Sequence, residues 1–183
     1  MIFVFLDFNV DIGSMRIGLI PSFVGYFFML RGLSEIMELS ERFVKIMPYV
    51  KGMIFYSIFL YVLDLLGGYT VIDLHHINTT VWWIVLFVFI MMTILILLSA
   101  FISYNIIMGI KDIEAAKEQN LSTGNLYYVW KLLVGFTLFT HLVMLLGMPS
   151  LAVIGVLISF LFQLCYLYAF YKTKNLYERG MEC

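Results

Sequence analysis

Long apolar runs separated by short polar connections dominate this chain. Residues 81–104 and 151–171 contain no charged side chain. Residues 126–147 carry only Lys131 and His141, and residues 50–68 carry Lys51 and Asp64. A helix needs about 20 mostly apolar residues to cross roughly 30 Å of hydrocarbon. In lipid each backbone amide must find its partner within the segment, so runs of this kind are predicted to be helices. Pro149-Ser150 is a good start for the last of them. The run at 50–68 is short, and it crosses with some thinning of the bilayer.

The N-terminal region is less regular. Residues 14–33 are predicted to form the first span, approached by an interfacial or re-entrant segment. Pro21 removes one helix hydrogen bond there, so a kink or a helix start is expected. Residues 34–49 read as an amphipathic helix along the headgroups. Leu39, Phe43 and Ile46 recur at helical spacing, while Glu35, Glu38, Glu41, Arg42 and Lys45 occupy much of the remaining surface. Ser34 can cap it. Residues 105–120 extend the third span beyond the bilayer. The predicted architecture is all-α: one integral-membrane domain over 1–183, a polytopic transmembrane helix bundle of about five spans (14–33, 50–68, 81–104, 126–147, 151–171), with the amphipathic helix between the first two.

Composition agrees with the pattern. Hydrophobic residues make up 63 % of the 183 positions and charged residues 13 %. Soluble domains run at roughly 45–50 % and about 25 %, so an ordinary water-soluble domain and a disordered chain are both excluded. The net charge of −1 gives no bulk attraction to nucleic acid. The bilayer itself is the first partner. The basic residues also set an orientation. Segment 31–51 carries Arg31, Arg42, Lys45 and Lys51, segment 105–125 carries Lys111 and Lys117, and the tail carries Lys172, Lys174 and Arg179. Segments 68–80 and 148–150 carry neither Lys nor Arg. The positive-inside bias places the basic segments and the C-terminus in the cytoplasm and the N-terminus outside, in a multi-pass cell (inner or plasma) membrane protein. Trp82 and Trp83 mark one interface, and Tyr127, Tyr128 and Trp130 the other.

Candidate chemistry is sparse. Cys165 and Cys183 form no C-x-x-C pair, so neither a zinc ribbon nor a disulfide framework is implied. The first residues lack a basic n-region, and no cleaved signal peptide is expected. No nucleotide loop or G-x-S-x-G elbow is present, so no catalytic residue and no cofactor is assigned. The predicted outer side gathers Asp64, His141 and the run Asp73-Leu74-His75-His76. Imidazole and carboxylate ligands suit zinc, which makes Asp73, His75 and His76 a candidate metal set. The bland reading of the same residues is a hydrated polar loop. Thr137 lies one helical turn before His141, and with Gln163 and Asp64 these residues form a candidate polar cavity. Ala152, Gly155, Ser159, Gln163 and Tyr166 recur at steps of three or four, a small and polar stripe suited to close helix approach. Gly18, Gly25 and Gly32 recur every seven residues and read as a second packing face.

One stretch carries a resemblance. Asp7-Phe8-Asn9-Val10-Asp11-Ile12-Gly13, followed by Ile17-Gly18-Leu19-Ile20-Pro21-Ser22-Phe23-Val24-Gly25-Tyr26, resembles the opening of a group of small uncharacterised polytopic bacterial inner-membrane proteins. In that pattern an apolar lead and a polar Asn/Gly stretch precede I-x-x-x-P-[acid]-F-[apolar]-G-Y. Ser22 stands here where the pattern has an acid. The likeness covers about residues 7–33, and it implies a bacterial inner-membrane location without a substrate. In size the chain is also similar to the substrate-capturing subunits of energy-coupled vitamin importers, but its spans are poor in alanine and lack the A-x-x-x-A pattern.

Three classes of function stay open from the sequence. They are a small non-enzymatic component acting through a membrane-protein partner or self-association, a small-solute transporter or its substrate-binding subunit, and a metal-dependent intramembrane enzyme. The orientation can be tested directly. A thiol placed at position 76 (His76→Cys, in a background without Cys165 and Cys183) is expected to react with a membrane-impermeant reagent on intact cells. Reaction only after lysis would overturn the assignment.

Overall fold

The structure, a computed structural model, describes residues 9–12, 15–18, 22–65 and 81–180. In chain order these are strands β1 (Asn9–Ile12) and β2 (Met15–Gly18), helix α1 (Ser22–Ile36), a 3₁₀ turn (Met37–Leu39), and helices α2 (Glu41–Leu65), α3 (Val81–Ala116), α4 (Thr123–Leu145) and α5 (Pro149–Arg179). Apart from the short ribbon, the described fold is helical.

The N-terminal segment departs from the expected span over 14–33. β1 and β2 pair antiparallel, with Asn9 opposite Gly18, Val10 opposite Ile17, Asp11 opposite Arg16 and Ile12 opposite Met15. Helix α1 starts only at Ser22, after Pro21. The physical reason is a period of two. Val10 and Ile12 alternate with Asn9 and Asp11, and Met15 and Ile17 flank Arg16, which favours a strand over a helix. The separate amphipathic helix over 34–49 is also corrected. Its first residues end α1, the chain turns through Met37–Leu39, and from Glu41 onward one continuous helix runs to Leu65. Pro48 lies inside α2, where its ring costs one backbone hydrogen bond without ending the helix.

The chain divides into two compact units. One comprises 1–38 and 44–90, the other 39–43 and 91–183. In the first, Tyr26 and Leu33 of α1 and Ile46, Val50, Met53 and Ile54 of α2 are buried. Phe23 meets Tyr61 edge to face, with ring centroids 5.7 Å apart.

In the second unit, α4 and α5 are an antiparallel pair joined by a tight turn. Gly147 has φ of +70°, a left-handed conformation that glycine adopts without a Cβ penalty. The Met148 N–H donates to Val143 O at 3.4 Å and the Gly147 N–H to Met144 O at 3.1 Å. Together they form a Schellman ending. Pro149 opens α5, where a missing N–H costs nothing. The facing surfaces are set by residue spacing. Leu126, Leu133 and Thr140 on α4, and Ala152, Gly155, Ser159, Tyr166 and Thr173 on α5, are buried. Gly155 lies directly against the Thr140 side chain, and Phe136 stacks on Phe162 at 5.1 Å. Gly155 and Ser159, the residues expected to pack, are both on this buried face of α5.

Helix α3 runs through Ala116, about 54 Å at 1.5 Å per residue. It extends well beyond the hydrocarbon thickness at its charged end. The first turn of α2 docks there. Phe43 is fully buried, and its ring fills the notch left by the absent side chain of Gly109. One turn further on, Asp112 accepts hydrogen bonds from the Ser40 hydroxyl at 2.9 Å and from Arg42 Nε at 3.0 Å. The Ser40 Oγ in turn accepts the Arg42 N–H at 3.3 Å, capping α2.

Because a Cβ on Gly109 would fall on the ring of the fully buried Phe43, Gly109→Ala is expected to destabilise the protein by about 1–3 kcal/mol through overpacking. Phe43→Leu in the same chain should recover part of the loss, so the two changes are non-additive. Denaturant titration in detergent measures both. Additive losses would mean that Gly109 and Phe43 do not share a contact.

Candidate functional site

The polar residues within the spans are few, and those of the predicted cavity set fall on α2, α4 and α5. His141 lies on α4 and is half-buried. Its Nε2 is 2.9 Å from the Thr93 hydroxyl on α3, with the imidazole tautomer deciding which group donates. Thr137 instead donates to Leu133 O of its own helix at 2.8 Å. Gln163 lies on α5, half-buried, between Ser159 and Tyr166 on one face. Asp64 occupies the last turn of α2 in the other unit. Thr93 was the partner that sequence reasoning missed. It is the lone hydroxyl in an apolar stretch of α3, and only the packing of two helices shows what it meets.

Several other hydroxyls along these helices are spent on backbone carbonyls. Thr140 donates to Phe136 O and Thr173 to Ala169 O. Ser103 donates to Ser99 O at 2.6 Å and accepts the indole N–H of Trp130 at 3.2 Å. Two hydroxyls differ. Ser159 Oγ and Tyr166 Oη are buried and have no hydrogen-bond partner among the described residues. They flank Gln163 and give α5 a polar seam in an otherwise apolar helix.

The glycine series is also divided. Gly18 ends strand β2 and Gly25 and Gly32 lie on α1, so the three do not share a helix face. The seven-residue spacing bridges a strand and a helix, which have different periods. Gly25 is buried, whereas Gly32 is exposed with open space where a Cβ would stand. Asp73, His75 and His76 lie outside the described residues. Among the described residues no three metal-binding side chains come together.

A second cluster closes the basic end. The Glu114 carboxylate accepts the Leu121 N–H at 3.0 Å and the Thr123 hydroxyl. It thereby ties the end of α3 to the start of α4, where a negative charge also favours the helix dipole. Nearby, Tyr127 stacks on Trp130 at 5.6 Å, and both contact Tyr104. Lys117 lies over the Tyr177 ring, 4.3 Å from its centroid. Sequence reasoning placed aromatic residues at this boundary but assigned Glu114 no role.

Among the described residues, four helices are long and apolar enough to cross a membrane: Glu41–Val62, Phe89–Ala116, Thr123–Leu145 and Ser150–Arg179. This is an integral membrane protein. No family model, curated protein or solved structure matches the chain, so its chemistry is argued from its own side chains. The Thr93–His141 bond is expected to couple α3 to α4 by about 0.6–2 kcal/mol. A double-mutant cycle of Thr93→Val and His141→Leu, followed by unfolding in detergent, measures that coupling. A value of zero would show that the bond adds nothing to the packing.

Proposed function

We propose that this chain is a small non-enzymatic component of a cell membrane, working by association with another membrane protein. Its basic ends and C-terminus would lie in the cytoplasm, in line with the positive-inside bias. The observation that carries this reading is the use made of the polar groups inside the spans. His141 bonds to Thr93, and Thr137, Thr140 and Ser103 donate to carbonyls of their own helices. The first bond joins two helices, and the others satisfy a hydroxyl within its own helix, so all of these groups serve the helices themselves. The outer surfaces support the same reading. Between 17 % and 28 % of the residues in the span windows are buried within the chain, so most residues of each span keep some accessible surface. On α5, Val153, Leu157, Phe160 and Leu164 form an exposed apolar ridge at spacings of three and four, the pattern by which one helix meets another.

A second reading is favoured by one specific feature. The unpartnered hydroxyls of Ser159 and Tyr166 beside Gln163 would suit a subunit that holds a small polar solute against α5. A photo-crosslinker at Val153, Leu157 or Phe160 in living cells tests the first reading. A discrete protein adduct is expected at one or more of these positions and not at buried Ala152, and its mass separates a second copy from a different partner. Lipid adducts alone at all three positions would remove the association reading and leave the solute-binding one.

A further inference from the structure

A cleft of about 430 Å³ opens on the second unit beside α4 and α5. That is within the roughly 300–1,000 Å³ of small-molecule sites. Its lining changes character along its length. Ser122, Asn125 and Lys172 stand at the basic end, where α4 begins and α5 approaches its own end. Val129, Leu164 and Cys165 lie deeper toward the membrane interior. Residues 150–171 carry no charge, about 33 Å of helix at 1.5 Å per residue. Lys172 is therefore the first charge of α5 beyond a hydrocarbon-length run, at the level of headgroups.

The polar end is built to hold an anion. Asn125 Nδ2 donates to Ser122 Oγ at 3.1 Å. The Ser122 hydroxyl thus accepts a bond and keeps its own proton to donate. Lys174 pairs with Glu178 at 3.5 Å, but no acidic side chain pairs with Lys172 among the described residues. Among the described residues no carboxylate lines the cleft. A zwitterionic headgroup would find nothing there to hold its ammonium, whereas a net-negative one meets a cation and two donors.

We infer that this cleft binds one anionic phospholipid, its phosphate held by Lys172, Ser122 and Asn125 and an acyl chain lying along Val129, Leu164 and Cys165. Basic pockets between membrane helices recognise anionic headgroups in this way. The inference concerns lipid rather than a protein partner, and of the residues it uses only Leu164 also belongs to the exposed ridge named above.

Native mass spectrometry of the full chain in detergent, offered equal amounts of phosphatidylglycerol and phosphatidylcholine, tests it. The protein is expected to retain one phosphatidylglycerol in preference. Lys172→Ala should weaken that retention about fivefold, the effect of one basic side chain at an anionic surface, while Lys174→Ala leaves it unchanged. In a Cys183→Ser chain, alkylation of Cys165 with a bulky maleimide should displace the lipid. Equal retention of the two lipids, an unchanged preference in Lys172→Ala, or full retention after Cys165 is blocked would each overturn the inference. So would displacement of the lipid by millimolar inorganic phosphate, which would mark a site for a soluble anion.

Discussion

Without water, a polar group has only the protein to bond with, and that constraint organises most of this molecule. A backbone amide in hydrocarbon must pair inside its own segment, so the apolar runs become helices. A side-chain hydroxyl faces the same demand. Thr137, Thr140 and Thr173 meet it by donating to a carbonyl one turn back. His141 cannot be satisfied so locally, and its ring reaches Thr93 on another helix. Such bonds contribute modestly in membranes because the unfolded helices also find partners. Their larger consequence is rotational: each one selects which face of a helix meets its neighbour.

Close approach supplies the rest of the contact between α4 and α5. Apolar burial drives helices together weakly where lipid is as apolar as leucine, so dispersion between well-fitted surfaces matters more. Gly155 against Thr140 and Ala152 near the turn keep the two backbones close. The left-handed Gly147 and the Pro149 start reverse the chain within a few residues. Phe43 and Gly109 repeat the same device at the other end of the unit, a large ring seated over a missing side chain.

The charged end obeys different rules. There water is near, and exposed ion pairs are weak. Asp112 with Arg42 and Lys174 with Glu178 are of this kind, each with both partners partly exposed. Glu114 matters more because it bonds the backbone and hydroxyl that begin α4. Lys172 stands apart from this network, next to a cleft whose polar lining, among the described residues, contains donors and no acid.

Charge-free length, helix-start residues and overall hydrophobicity were legible in the one-dimensional sequence, because each depends on neighbours within a turn or two. The helical membrane architecture, the extension of α3 and the packing stripe on α5 belong to that class. The strand pair at 9–18 was legible too, in its period of two, but was overshadowed by the apolar composition around it. The merging of residues 41–49 into α2 was not, since Pro48 and a charged face both argue for a separate helix. The pairing of His141 with Thr93, the seat of Phe43 over Gly109 and the assembly of the cleft from Ser122, Asn125 and Lys172 depend on residues tens of positions apart. Local spacing fixes which residues share a helix face, but the rotation of one helix against another is decided by side-chain shape at the contact, and that exists only once the chain has folded.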